Sequence, residues 1–248
     1  TCFMPARQER AIKVINALAA LGSLALSLYA AYLFVDAGGQ GVQLEENYPW
    51  IPALGVRYIL ALDGFSVFMV ILNGLVFFTG VLTMWGLQER VKEYFAMMAL
   101  LVVGVFGVFL SLDVFAFFFF YEVAVVPMYP LIAIWGSTRR EYSAMKLTLY
   151  LMLGSALLFP ALVYLFILGG SSTWDIRLLA QTVIETDTQV FLFPFLYLGF
   201  GILAGMFPFH GWSPTGHVAA PTAVSMLHAG VLMKLGAYGV LAVGIRLL

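Results

Sequence analysis

Glu122 stands in Phe117-Phe118-Phe119-Phe120-Tyr121-Glu122-Val123-Ala124-Val125-Val126-Pro127, with no other charge near it in the chain. A carboxyl group isolated in this way can hold or release a proton, because its charge is costly away from water. Lys234 is the basic counterpart, inside Leu227-His228-Ala229-Gly230-Val231-Leu232-Met233-Lys234-Leu235-Gly236-Ala237-Tyr238. The apolar and small residues between it and Arg246 are too many for a lysine stem to reach an interface. His228 lies six residues earlier, about 9 Å along a helix and more than half a turn round it, so water rather than a direct bond would join the two. His210 and His217 belong to Gly205–His217, where Pro208, Pro214 and the glycines 205, 211 and 216 interrupt an apolar segment. Neutral imidazole donates and accepts protons near pH 7, and broken helices at membrane depth free backbone groups for ions. Lys146, about one turn inside an apolar stretch, would reach Glu122 only through water. Each residue also has a purely structural reading: an acid satisfied by Tyr or Ser hydroxyls, a snorkelling lysine, histidines capping an ordinary connection. The proton-relay candidates are therefore Glu122, Lys234, His210, His217, His228 and Lys146.

The elements that position them follow from composition. Of 248 residues, 62% are apolar and 10% charged, with 22 Phe and 12 Tyr, which places the chain in lipid. A net charge of −1 gives no electrostatic basis for nucleic acid as a partner. The single cysteine, Cys2, excludes a disulfide framework, a cysteine-held iron–sulfur cluster or a structural zinc site within the chain. No dinucleotide fingerprint, P-loop, His-Glu-x-x-His or clustered metal ligands occur, and nothing recommends haem.

Seven stretches reach the roughly 20 apolar residues of a span: Val14–Val35, Ser66–Gly86, Phe95–Leu112, Val114–Trp135, Ala144–Gly169, Val190–Phe209 and Ala219–Val243. Without period-2 alternation they read as helices rather than a barrel. Simple alternation puts Arg7, Arg10, Lys13, Arg90, Lys92, Arg139, Arg140 and Lys146 on one side and Arg57, Arg177 and Arg246 on the other, which makes the first side cytoplasmic. Two longer outer loops read as solvated linkers: 36–64, with a possible short strand at Tyr58–Leu62, and 170–189, with a short helix. Asp113, between two spans, reads as an outer helix cap. Pro127 and Pro130 predict a kink just beyond Glu122. The first residue, Thr1, and the last, Leu248, read as the ends of a piece of a longer protein.

The motifs around these residues resemble a known family. Phe117–Tyr129 followed by Trp135-Gly136, Pro208-Phe209-His210-Gly211-Trp212-Ser213-Pro214-Thr215-Gly216-His217, Ala229–Gly239 and Asp63-Gly64-Phe65-Ser66 are similar, in order, to segments of the proton-pumping antiporter-like subunits of NADH:quinone oxidoreductase, respiratory complex I, of which subunit M (chain 4) fits best. The resemblance implies a fourteen-helix fold of two inverted five-helix repeats, of which this chain holds helices two to eight. Residues 1–112 would be peripheral helices and an outer loop. Residues 113–248, with 93–112 as first helix, would form most of the first repeat. Glu122 falls on the family's helix-five glutamate, Lys234 on its central helix-eight lysine, and His210 and His217 on histidines of the broken helix.

The resemblance further implies that the redox chemistry lies elsewhere: no cofactor or metal in this chain, with NADH, FMN, iron–sulfur clusters and quinone in partner subunits. It implies other membrane and peripheral subunits as partners, and a bacterial inner (cytoplasmic) membrane as location. One departure stands out. In the family pattern Lys-x-Pro-x-x-Pro-x-His-x-Trp, the lysine position is Leu203 and the first proline is Gly205. Either Glu122 uses another cation, such as Lys146 or a residue of an adjacent subunit, or this half-channel works differently. His228 is closer to the antiporter relatives. Two further readings therefore stand: a subunit of a multisubunit cation/proton antiporter or membrane-bound hydrogenase, and a non-pumping helical scaffold.

Overall fold

The computed structural model describes residues 8–248; Cys2 and Arg7, used in the sequence reading, lie outside the described residues. The chain runs α1 (Glu9–Asp36), β1 (Gln43–Ile51), β2 (Val56–Leu62), α2 (Ser66–Thr83), α3 (Val91–Leu110), α4 (Val114–Val125), α5 (Met128–Trp135), α6 (Arg140–Leu168), α7 (Ile176–Leu179), α8 (Thr186–Ala204), α9 (Trp212–Ala219), α10 (Thr222–Leu227) and α11 (Met233–Gly239). Seven spans result. Two are broken: α4 and α5 share one, Val114–Trp135, and α8 and α9 share another, Thr186–Ala219. α10 and α11 form the last, Thr222–Ile245, joined by a π-helical turn at His228–Leu232 and followed by another at Val240–Ile245.

The breaks have local causes. Pro127 and Pro130 lack N–H groups, so the carbonyls of Val123 and Val126 lose their i+4 donors and the helix is interrupted between Val125 and Met128. α8 stops where Gly205 takes φ +70°, a left-handed conformation open to glycine at no steric cost. Trp212 then ties α9 to α8, donating its indole N–H to Ile202 O at 3.0 Å. The sequence reading ended the sixth span near Phe209. The structure carries it through the break to Ala219, because the backbone becomes helical again from Trp212, with Pro214 accommodated in the first turn of α9.

α3 is central: Tyr94, Phe95, Met98, Leu101, Val105 and Val108 are fully buried. It packs on α2 and α4, α1 packs on α2, and α8 lies between α6 and α11. Close approach requires small residues, since a Cβ on Gly236 would stand 2.4 Å from Phe200 O of α8.

The two ends of the bundle are tied separately. At one, Lys13 Nζ donates to Leu87 O, Trp135 Nε1 to Glu89 O, and Ser137 N to Ala219 O. At the other, β1 and β2 pair as an antiparallel hairpin over α4, with Leu112 N donating to Ile59 O and Ile176 N to Leu112 O. Arg246 lies 3.9 Å from Asp63 at that same end. The described basic residues thus segregate as alternation of seven spans requires. Loop 36–64 is not merely a solvated linker. Strand β1 was not anticipated, and β2 extends the expected Tyr58–Leu62. Asp113 caps α4 as expected, accepting from Ala116 N at 2.9 Å, and it also accepts from Arg57 N of the hairpin at 3.0 Å. Burial pushes its carboxyl above the usual carboxylate range.

Candidate proton-transfer site

Four of the six candidates lie on or beside the last two spans. His217, in the last turn of α9, places Nδ1 2.9 Å from Ser225 Oγ of α10. Its ring stacks on His228 at 4.3 Å between centroids, and Trp212 also stacks on His228 at 5.0 Å. His228 is fully buried, and neither of its ring nitrogens meets a hydrogen-bond partner among the described residues. A site of this kind is suited to internal water or to transient proton occupancy. The turn pairing α9 with α10, Ala219–Thr222, creates this contact. Histidines eleven residues apart meet because the chain reverses between them.

Lys234 follows the π-helical turn and donates from Nζ to Ala229 O. Lys234 lies six residues beyond His228 in the same span, about 9 Å along the axis. A π-turn shifts the carbonyl register by one residue, and such turns concentrate at functional sites. From Thr222 to Lys234 is about 18 Å along the axis, so Ser225, His217, His228 and Lys234 lead from the basic end of the bundle to mid-span. Lys234 is at mid-depth, yet its side chain is exposed on the flank of this chain.

Glu122 belongs to a second centre. It is half-buried on α4, and Ser155 of α6 donates its hydroxyl to Oε1 at 2.5 Å while sharing it with Leu151 O at 3.2 Å. The neighbouring Tyr121 hydroxyl is buried and has no hydrogen-bond partner among the described residues. Sequence reasoning named Ser hydroxyls as a class but not Ser155. Its only signal was a hydroxyl within Leu151-Met152-Leu153-Gly154-Ser155-Ala156. Leu203 is fully buried in α8.

Lys146 stands nine residues before Ser155 on α6, about 13 Å along the axis from the point where Glu122 meets that helix. Its Nζ lies 3.8 Å from where a Cβ would sit on Gly211, at the α8–α9 break. His210 is exposed there, with its ring 5.9 Å from Phe207. The structure therefore brings together His217, His228 and Lys234, pairs Glu122 with Ser155, and sets Lys146 and His210 beside the break.

Among the described residues, seven spans carrying an acid, an amine and stacked imidazoles define a multi-pass helical membrane protein with ionisable groups at membrane depth. More particularly, the chain belongs to the NADH:quinone oxidoreductase/Mrp antiporter transmembrane family, whose profile matches residues 111–247. It is 34% identical over 247 residues to an NAD(P)H-quinone oxidoreductase chain 4 of Picosynechococcus sp., covering 99% of this chain and 45% of that protein. A chain 4 of Synechocystis sp. is 34% identical over 228 residues, 92% of this chain and 41% of that protein. This chain thus spans less than half the length of the curated relatives it matches. Its fold is like that of a chain of respiratory complex I from Thermus thermophilus with bound NADH (TM-score 0.82, 24% identity, 95% of this chain and 49% of that one). It is also like a chain of the Mrp complex from Dietzia sp. (TM-score 0.79, 22% identity, 97% and 44%).

Proposed function

We propose that this chain is a proton-translocating membrane subunit of a respiratory NADH:quinone oxidoreductase in a bacterial inner membrane, coupling electron transfer in other subunits to proton movement. On this reading residues 113–248, with 93–112, form most of the first of two antiporter-like repeats. NADH, FMN, iron–sulfur clusters and quinone belong to partner subunits. What supports it is the column from His217 through His228 to Lys234 beside the π-turn. Its members can pass a proton from ring to ring and on to the amine through water, and the lysine is left at mid-depth.

Glu122 modulates that column from its own centre. Among the described residues Ser155, rather than a lysine, is the group that meets its carboxyl. Glu122→Gln is expected to abolish quinone-coupled proton movement while electron transfer to an artificial acceptor continues. Unchanged pumping in that variant would eliminate the role.

The antiporter or membrane-bound hydrogenase reading is favoured by one observation, the closeness of the fold to the Mrp complex as well as to complex I. Co-purification decides between them: an NADH-oxidising flavoprotein supports the first reading, a set of small antiporter subunits the second. The scaffold reading draws on the buried Leu203 and the Glu122–Ser155 pair. It requires that Lys234→Ala impair assembly and leave proton flux per assembled complex untouched.

A further inference from the structure

At the basic end of the bundle, three contiguous depressions surround the start of α6, and Tyr142 lines all of them. The outermost, 440 Å³, is walled by Ser137, Arg139, Arg140, Glu141 and Tyr142. A second, 290 Å³, lies between α6 and α9 and includes Arg139, Pro214 and Val218. The third, 360 Å³, is an almost wholly apolar groove running down α6 along Tyr142, Met145, Lys146, Leu149 and Tyr150. Glu141, Met145 and Leu149 form one i, i+4 row and Tyr142, Lys146 and Tyr150 the adjacent one, so the groove follows the helix axis. It extends about 14 Å, close to the depth of one leaflet's hydrocarbon, roughly half of 30 Å.

We propose that this face binds one anionic phospholipid, its phosphodiester in the basic depression at Arg139 and Arg140 and one acyl chain along the groove on α6. Charge complementarity selects the headgroup. Two arginines and Glu141 leave the depression with one net positive charge, matching a monoanionic phosphodiester. Arg140 spends one N–H on Ile134 O at 2.7 Å and keeps its other donors. The loop bearing Arg139 is fixed in place, since Ser137 donates from N to Ala219 O at 2.8 Å and from Oγ to Val218 O at 3.1 Å. Glu141 adds an acceptor suited to headgroup hydroxyls, as a glycerol head would offer. Met145 and Leu149 are exposed and unpartnered in this chain, and hydrocarbon covers them without loss. The proposal is independent of the proton-transfer reading.

The test is native mass spectrometry of the full-length protein in its purified membrane assembly, supplied with phosphatidylglycerol or phosphatidylethanolamine of identical acyl chains. Preferential retention of phosphatidylglycerol is expected. Arg139→Gln should weaken it about fivefold; Arg139→Lys should restore most of it. Met145→Trp should weaken it by filling the groove with the charges intact. Arg10→Gln/Lys92→Gln, which removes two charges from the same end but away from the groove, should leave it unchanged. Equal loss in that control would reduce the effect to diffuse surface charge and overturn the proposal. So would equal retention of phosphatidylethanolamine, or displacement by inorganic phosphate alone. A photoreactive residue at position 142 should label lipid; labelling a neighbouring protein instead would also overturn it.

Discussion

The imidazole of His217 lies against that of His228 at 4.3 Å, joining the last turn of α9 to the π-helical turn after α10. Trp212 also stacks on His228, at 5.0 Å, and neither imidazole nitrogen of His228 has a partner among the described residues. His228→Phe keeps an aromatic ring in the stack and deletes the nitrogens, with a slightly larger ring to be accommodated. The spans should assemble normally, and proton flux in proteoliposomes should fall about 100-fold, the scale of losing a positioned proton carrier. Wild-type flux would remove His228 from the path.

Ser155→Ala deletes the hydroxyl that meets Glu122, leaving a half-buried carboxyl without it. A stability loss of about 1–3 kcal/mol is expected, together with slower coupled proton uptake. Ser155→Thr should recover both, since it keeps the hydroxyl. Thermal unfolding and flux on the same samples check the pair.

At the opposite end, Arg177 bridges Glu45 of the hairpin at 2.6 Å and Asp175 at 2.8 Å. The guanidinium holds the Glu45 carboxyl below the usual carboxylate range and is itself pushed up. Glu45 binds fewer protons folded than unfolded, so its contribution is present above its unfolded value and lost as pH falls through the lowered one. Asp113 opposes this. Its raised value means that stability it withholds at neutral pH returns on acidification. Arg177→Gln should loosen the hairpin by about 1 kcal/mol or less, as both partners are a third exposed. Faster hydrogen exchange of β1 amides at pH 7, with a smaller difference near pH 3, is the expected signature.

A Cβ on Gly104 would fall 2.4 Å from the backbone nitrogen of Ala124, so Gly104→Ala must push α3 from α4. It should destabilise by about 2 kcal/mol. Gly22→Ala on α1 meets nothing within 4 Å and should be neutral or stabilising by up to about 1 kcal/mol. Thermal unfolding of the two variants checks the contrast.

Span number and the gathering of basic loop residues at one end were legible because length, apolarity and loop charge set them one segment at a time. β1 was not, since Gln43-Leu44-Glu45-Glu46-Asn47-Tyr48-Pro49 lacks alternation and is exposed along its middle; pairing with β2 creates it. The kink after Glu122 was legible from Pro127 and Pro130. The His217–His228 stack was not, because it depends on how the chain turns at Ala220-Pro221. Ser155 was hidden for another reason: a helical serine ordinarily bonds back to its own helix, as this one also does to Leu151 O. The depth of Lys234 could be read from residue count. Its exposure on the flank depends on packing of α8 against Gly236 and Gly239, which no spacing rule supplies.

The central claim is that Lys234 carries the proton delivered by the two histidines. The direct measurement is the number of protons moved per NADH oxidised in proteoliposomes of the intact complex, for Lys234→Gln and for wild type at equal electron-transfer rate. Lys234→Gln should lower that ratio by a whole proton or abolish pumping. An unchanged ratio would contradict the account.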